Sequence, residues 1–202
     1  MNAPTIAAVL AVTAAASAAL VFGSPRRWRG GVAGLGAALV GVLAVCLAAD
    51  TLASSVPEAR VGSRLPHTGA TFGGDGLSSL FTLVTGAVSI PVGLFTIGYA
   101  RHSHAPAFAL ATLPVFVGAM AMLPFAASIT TFLSLWELMA LASLVLVLSE
   151  HHEPAVRSAG VVYAVMTQMG FAAILVGLSL FAATANGDSF STLASAQMTP
   201  SS

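Results

Sequence analysis

One residue in this sequence has both the type and the setting to move a proton. Glu137 stands in FLSLWELMAL (132–141), inside an apolar run covering 129–148. It is the ninth residue of that run, which places it about 12 Å along a span of roughly 30 Å. A charged side chain near the centre of a bilayer costs about 2.5–3.5 kcal/mol on insertion scales. Facing the bundle interior, or taking a cationic partner, lowers that penalty. A carboxyl held there that loads and unloads H⁺ is a proton carrier; one that only bonds a neighbouring helix is the structural alternative. Thr130 and Ser134 precede it by seven and three residues on the same helical face, and Ala140 follows. The acid therefore sits on a narrow stripe of small and polar side chains.

Other polar groups are candidates of lesser weight. Ser78, Thr82, Thr85, Ser89, Gly93 and Thr96 recur at spacings of four, three, four, four and three, one face of a helix that Pro91 interrupts. Such a stripe is a packing seam between helices, or a seam that also holds waters or protons. A related face carries Gly160, Tyr163, Thr167, Gly170, Ile174 and Gly177, while Gln168 lies about 100° round from Thr167. A buried glutamine amide needs partners, so Gln168 is expected to face another helix. RHSH (101–104) and EHHE (150–153) bring His102, His104, His151 and His152 near two glutamates. Imidazoles with carboxylates are zinc ligands, but adjacent histidines rarely converge on one ion, and loop polarity accounts for them; a proton relay at the inner mouth through His151 and His152 is the sharper use. Asp50 closes a helix near water, Asp75 in FGGDG suits a helix N-cap, and Asp188 falls in the tail. Cys46, the single cysteine, excludes an intrachain disulfide and reads as a small packed side chain. No nucleophile-and-base triad, phosphate loop, metal motif or dinucleotide fingerprint is present, so no catalytic site, no cofactor and no metal are expected.

The elements that must position these groups follow from composition. Of 202 residues, 57% are hydrophobic and only 7% charged, where soluble domains carry about a quarter charged residues; lipid is the expected solvent. The seven basic residues are all arginine, the formal net charge is zero, and no basic patch suits nucleic acid. Six segments reach spanning length, at 4–22, 31–52, 77–100, 106–123, 129–148 and 158–183. This predicts an all-α, polytopic bundle of about six transmembrane helices forming a single domain over 1–202. Between helices two and three, 53–76 reads as an outer loop in which Pro57, Pro66 and several glycines oppose a helix. From 184 to 202, ending TPSS, it reads as an exposed polar tail. The first segment puts Arg26, Arg27 and Arg29 after its apolar core rather than before it, which argues for a retained helix over a signal peptide. Inner loops then hold Arg26, Arg27, Arg29, Arg101 and Arg157, against Arg60 and Arg64 outside, so the amino end is expected outside.

Two stretches carry a resemblance: FGGDGLSSLFTLVTGAVSIPVGLFTIGYARH (72–102) and FLSLWELMALASLVLVLSEHHEPAVRSAGVVYAVMTQMG (132–170). They resemble the antiporter-like, proton-translocating membrane subunits shared by complex I, multisubunit cation/proton antiporters and membrane-bound hydrogenases. Within that group, WELM followed by SEHHEPAVRSAGVVYAVMTQMG is most similar to the large membrane subunit of formate hydrogenlyase-type complexes. The resemblance implies about fourteen helices in two inverted repeats, each with a broken helix, of which this chain corresponds to the first six. It implies that Glu137 is the proton-handling carboxylate, working with lysines on later helices. This sequence has no lysine, and Gln168 stands where hydrogenase-type relatives have histidine.

The expected function is thus proton passage within a hydrogenase-type or NADH:quinone oxidoreductase-like complex in a bacterial cytoplasmic membrane. Glu137 would be the carrier, Thr130, Ser134, Thr82, Thr85 and Ser89 its polar neighbours, and other membrane subunits the partners, one supplying the lysine-bearing helices. The alternatives are a non-transporting structural or assembly subunit of such a complex, and a small independent membrane carrier.

Overall fold

Hydrocarbon offers a backbone no hydrogen-bond partners, so a chain this apolar must satisfy its N–H and C=O groups within helices. The computed structural model does so in α1 (Ala3–Gly23), α2 (Arg26–Thr51), α3 (Gly76–His102), α4 (Ala107–Met122), α5 (Ile129–Val147) and α6 (Pro154–Ala185). It describes residues 3–52, 56–61, 70–102, 105–185 and 187–197; Arg64, Pro66, His104 and the final residues 199–202, all named above, lie outside the described residues. Among the described residues, six helices are long and apolar enough to cross a membrane. The molecule is an all-α polytopic bundle.

Local chemistry sets the helix boundaries. Pro25 and Pro106 immediately precede α2 and α4, where a missing N–H costs nothing. Ser128 caps α5, its side chain accepting from the Thr131 N–H at 3.3 Å. Asp75 caps α3 as its position suggested: Oδ1 accepts from the Ser78 N–H at 2.9 Å and from the Ser78 hydroxyl at 3.1 Å. The Ser78 N–H bond holds the Asp75 carboxyl below its usual pKa.

Packing centres on α2, which lies against α1, α3 and α4. Glycines let α2 and α3 approach to backbone contact: a Cβ on Gly86 would meet Gly41 O at 2.6 Å, and one on Gly93 would meet Gly34 O at 2.5 Å. This small-residue seam replaces the hydrophobic effect as the source of association in lipid. Ile6, Leu10, Val40, Ala44, Val117 and Phe125 form the main apolar cluster. In contrast, α6 is peripheral: its central span buries no residue, and it lies against α5 through the Ser143 Oγ to Tyr163 OH hydrogen bond of 2.6 Å.

Three sequence expectations are corrected. The 53–76 connection carries β1 (Val56–Val61) and β2 (Ala70–Gly74), an antiparallel pair with Ala59 opposite Phe72 and Arg60 opposite Thr71. Phe72 is buried in the main cluster and Ala127 N–H donates to Thr71 O at 2.9 Å, so the hairpin closes one end of the bundle. The tail from 184 is not a bare exposed segment. α6 continues to Ala185, and α7 (Phe190–Gln197) turns back, because Leu193 and Phe190 give it an apolar side that packs with Ile129, Leu133 and Phe132. Cys46 is exposed rather than packed; it lies two residues from the buried Ala44, about 200° round the helix.

Candidate functional site

Because α5 and α6 run antiparallel, the level of Glu137 on α5 is the level of Gln168 on α6. Gln168 Nε2 donates to Glu137 Oε1 at 2.9 Å. Glu137 Oε2 is buried and has no hydrogen-bond partner among the described residues. Leaving a buried polar atom unpaired costs about 1–3 kcal/mol, so this oxygen is the group in the bundle that most needs a proton, a water or a cation. The division of labour suits proton exchange: H⁺ can bind Oε2 while Oε1 keeps its bond to the amide.

From this carboxyl an open groove of about 590 Å³ runs along the α5/α6 contact toward the hairpin end. Thr130 and Ser134 line it from α5, Phe171 and Ser179 from α6, and Asp188 stands at its far end. Ser134 Oγ donates to Thr130 O at 2.7 Å, which leaves the hydroxyl oxygen free to accept. Asp188 holds the start of α5: its carbonyl accepts from Ile129 N–H at 2.9 Å and its Oδ1 from Thr130 N–H at 3.2 Å. A carboxylate at a helix N-terminus is favourably placed against the macrodipole.

The other sequence candidates lie elsewhere. Thr82 is fully buried and donates to Ala121 O of α4 at 3.1 Å. Ser89 donates to Thr85 O within its own helix at 2.7 Å. Neither these two nor Thr85 lines the groove; this stripe serves the packing of α3 on α2 and α4. His151 and His152 follow α5, their rings 4.2 Å apart, with Arg157 Nη1 donating to both of their carbonyls at 3.4 Å. Fourteen residues separate His151 from Glu137, about 21 Å along the helix axis, and the structure does not bring them together.

Two groups at the site escaped the sequence reading. Gln168 was legible as an amide needing a partner, but not as the partner of an acid 31 positions away. Asp188 looked like an ordinary tail residue; only the return of the chain toward α5 puts it at the groove mouth.

A carboxyl inside one of six membrane spans, bonded across to the next and opening on a groove of mixed apolar and polar lining, defines an integral membrane bundle with an intramembrane acid. The fold is similar to part of one chain of the membrane-bound sulfane sulfur reductase, an archaeal respiratory membrane complex. The TM-score is 0.72 at 16% identity, covering 90% of this chain and 28% of that one. Among curated proteins, an uncharacterized protein of Mycobacterium tuberculosis is 49% identical over 163 residues, in strain CDC 1551 / Oshkosh and in strain ATCC 25618 / H37Rv alike. The match takes in 81% of this chain and 24% of the relative. The chain thus spans about a quarter of the length of the curated relatives it matches. No protein-family profile matches the sequence.

Proposed function

We propose that this chain is part of an antiporter-like, proton-translocating subunit of a respiratory membrane complex, with Glu137 as the proton carrier. The observation that supports this most is the state of the carboxyl: one oxygen held by Gln168, the other buried without a partner at the head of a groove. An ionisable group inside a membrane span is expensive to keep and marks an ion pathway by default. The fold likeness to a chain of a respiratory membrane complex supports the setting, in which other membrane subunits would be the partners. The finer likeness to formate hydrogenlyase rests on WELM (136–139) and the 149–170 stretch alone.

In this reading the arginine-rich end faces the cytoplasm and the hairpin end faces outward, with the amino end outside. Protons then enter or leave Glu137 through the groove past Ser134, Thr130 and Asp188. Thr82, Thr85 and Ser89 contribute packing to the bundle, and His151 and His152 mark the opposite mouth. The cation that an intramembrane carboxylate calls for would come from the additional length that the curated relatives have, or from a partner subunit. The test is Glu137→Gln in the assembled complex reconstituted in vesicles. Proton accumulation per electron transferred is expected to fall while electron transfer continues, and unchanged accumulation would remove the proposal.

A second reading is a structural subunit, favoured by the fact that the Gln168–Glu137 bond itself ties α6 to α5. Under it, Glu137→Leu, which removes the acceptor, weakens assembly, while Glu137→Gln keeps the bond and leaves both assembly and proton stoichiometry alone.

A further inference from the structure

At the end of the bundle opposite the hairpin lies a second and larger concavity of about 1330 Å³, between the start of α2, the end of α3 and the start of α4. Arg26, Arg27, Arg29 and Arg101 all line it, and among the described residues no acidic side chain does. Gly30 makes the gathering possible: a Cβ there would meet Ala100 Cβ, so the two helix ends that carry these arginines touch. The arrangement is electrostatically unfavourable by itself. Three of the four cations stand in the first turn of α2, which holds no acid and where the helix macrodipole is already positive. Arg29 has its Nε bonded to Ser24 O at 3.1 Å, which fixes one guanidinium at the rim and leaves its other donors available. An anion relieves all of these repulsions at once, and guanidinium is the side chain best matched to phosphate oxygens.

The walls identify the source of that anion. Below the arginines the lining turns apolar, through Leu35, Ile97 and Leu110. Leu35 is 59% exposed and Trp28, at the rim, 60% exposed; tryptophan is enriched at the membrane–water boundary. The volume exceeds the roughly 300–1,000 Å³ of a small-molecule pocket. A free phosphate ion has no use for the apolar shaft, whereas an amphiphile fills both parts.

We propose that this pocket binds an anionic phospholipid, its headgroup phosphate on Arg26, Arg27 and Arg101 and an acyl chain along Leu35 and Ile97. The assignment stands independently of what Glu137 does. Trp28 supplies the readout once Trp136, the other tryptophan, is replaced by phenylalanine. The full chain is placed in phosphatidylcholine nanodiscs with a minor share of phosphatidylglycerol, and bromine quenchers are carried on the acyl chains of one lipid at a time. Brominated phosphatidylglycerol is expected to quench Trp28 more than an equal share of brominated phosphatidylcholine. Each arginine neutralised (R26Q, R27Q, R101Q) is expected to cut the relative occupancy about fivefold. The R26K and R101K variants keep the charge and retain most of the excess, and R157Q, at the same membrane face but outside the pocket, leaves it unchanged. Equal quenching by the two lipids overturns the proposal, as does an R157Q effect as large as that of R101Q. Inorganic phosphate added at matched ionic strength separates the sources: loss of the excess identifies a free-phosphate site and refutes the lipid, and persistence supports it.

Discussion

Replacing Gly93 with alanine probes the contact on which the bundle most depends. An added Cβ would stand 2.5 Å from Gly34 O, 2.6 Å from Ala38 N and 2.9 Å from Ala38 Cβ. The first two are backbone atoms of α2, so no side-chain rotation makes room. Ordinary contact begins at 3.4 Å, and α2 and α3 must therefore part locally by roughly 0.5–1 Å. A gap of that size forfeits a quarter to a half of each contact's dispersion energy, and overpacking of this kind costs about 1–3 kcal/mol. Alanine's preference for the helix over glycine, about 0.8–1.0 kcal/mol, acts the other way, which leaves a net loss of about 0–2 kcal/mol. Gly98, five residues on in the same helix, has nothing within 4 Å of its Cβ position, so Gly98→Ala keeps only the favourable helix contribution. The two variants are expected to differ by about 1–3 kcal/mol, a factor of five or more in the unfolding equilibrium. Unfolding in detergent micelles followed by circular dichroism measures the difference. A Gly93→Ala chain as stable as Gly98→Ala would show that α2 and α3 do not meet at this seam.

Three more outcomes follow from the geometry. A double-mutant cycle with Glu137→Ala and Gln168→Leu is expected to give a coupling of about 0.6 kcal/mol and at most about 1.7; zero coupling would mean that the α5–α6 hydrogen bond does not form in lipid. Ser179→Phe places a ring in the groove and is expected to lower proton flux through the intact complex with Glu137 untouched; full flux would mean that protons take another route. The Ser78 N–H bond holds the Asp75 carboxyl below the ordinary aspartate range, so its cap stabilises α3 fully above about pH 4 and loses that contribution as pH falls through the lower folded value. The deficit of Asp75→Ala, about 1 kcal/mol for a lost cap, should shrink below that pH in unfolding titrations, and a deficit that grew in acid would contradict the assignment.

Much of this architecture could be read along the chain, because hydropathy over about 20 residues is a local property. All six spans are of that kind, and so is the Asp75 cap, which needs only the residues that follow it. What escaped is non-local. The strands at Val56–Val61 and Ala70–Gly74 are short and broken by a register shift between Val56 and Ala59, so neither shows a clean alternation. α7 escaped because Phe190 and Leu193 acquire their meaning only where the tail meets Ile129 and Leu133. At the site, the i, i+4, i+7 spacing put Thr130, Ser134 and Glu137 on one helical face, and all three line the groove. The same spacing rule grouped Thr82, Thr85 and Ser89, yet could not say which neighbour that face would meet, and it met α2 and α4. Helical periodicity orders side chains around an axis but does not identify the helix opposite.

The proposed role requires Glu137 to exchange a proton rather than merely accept a hydrogen bond. Glutamine at 137 retains a carbonyl that can accept from Gln168, and aspartate retains a titratable group one methylene shorter, so the pair separates the two roles. The decisive measurement is the ratio of protons moved to electrons transferred by the reconstituted complex carrying Glu137→Gln or Glu137→Asp. A ratio reduced in Glu137→Gln and at least partly restored in Glu137→Asp is the expected result; a wild-type ratio in Glu137→Gln would contradict it.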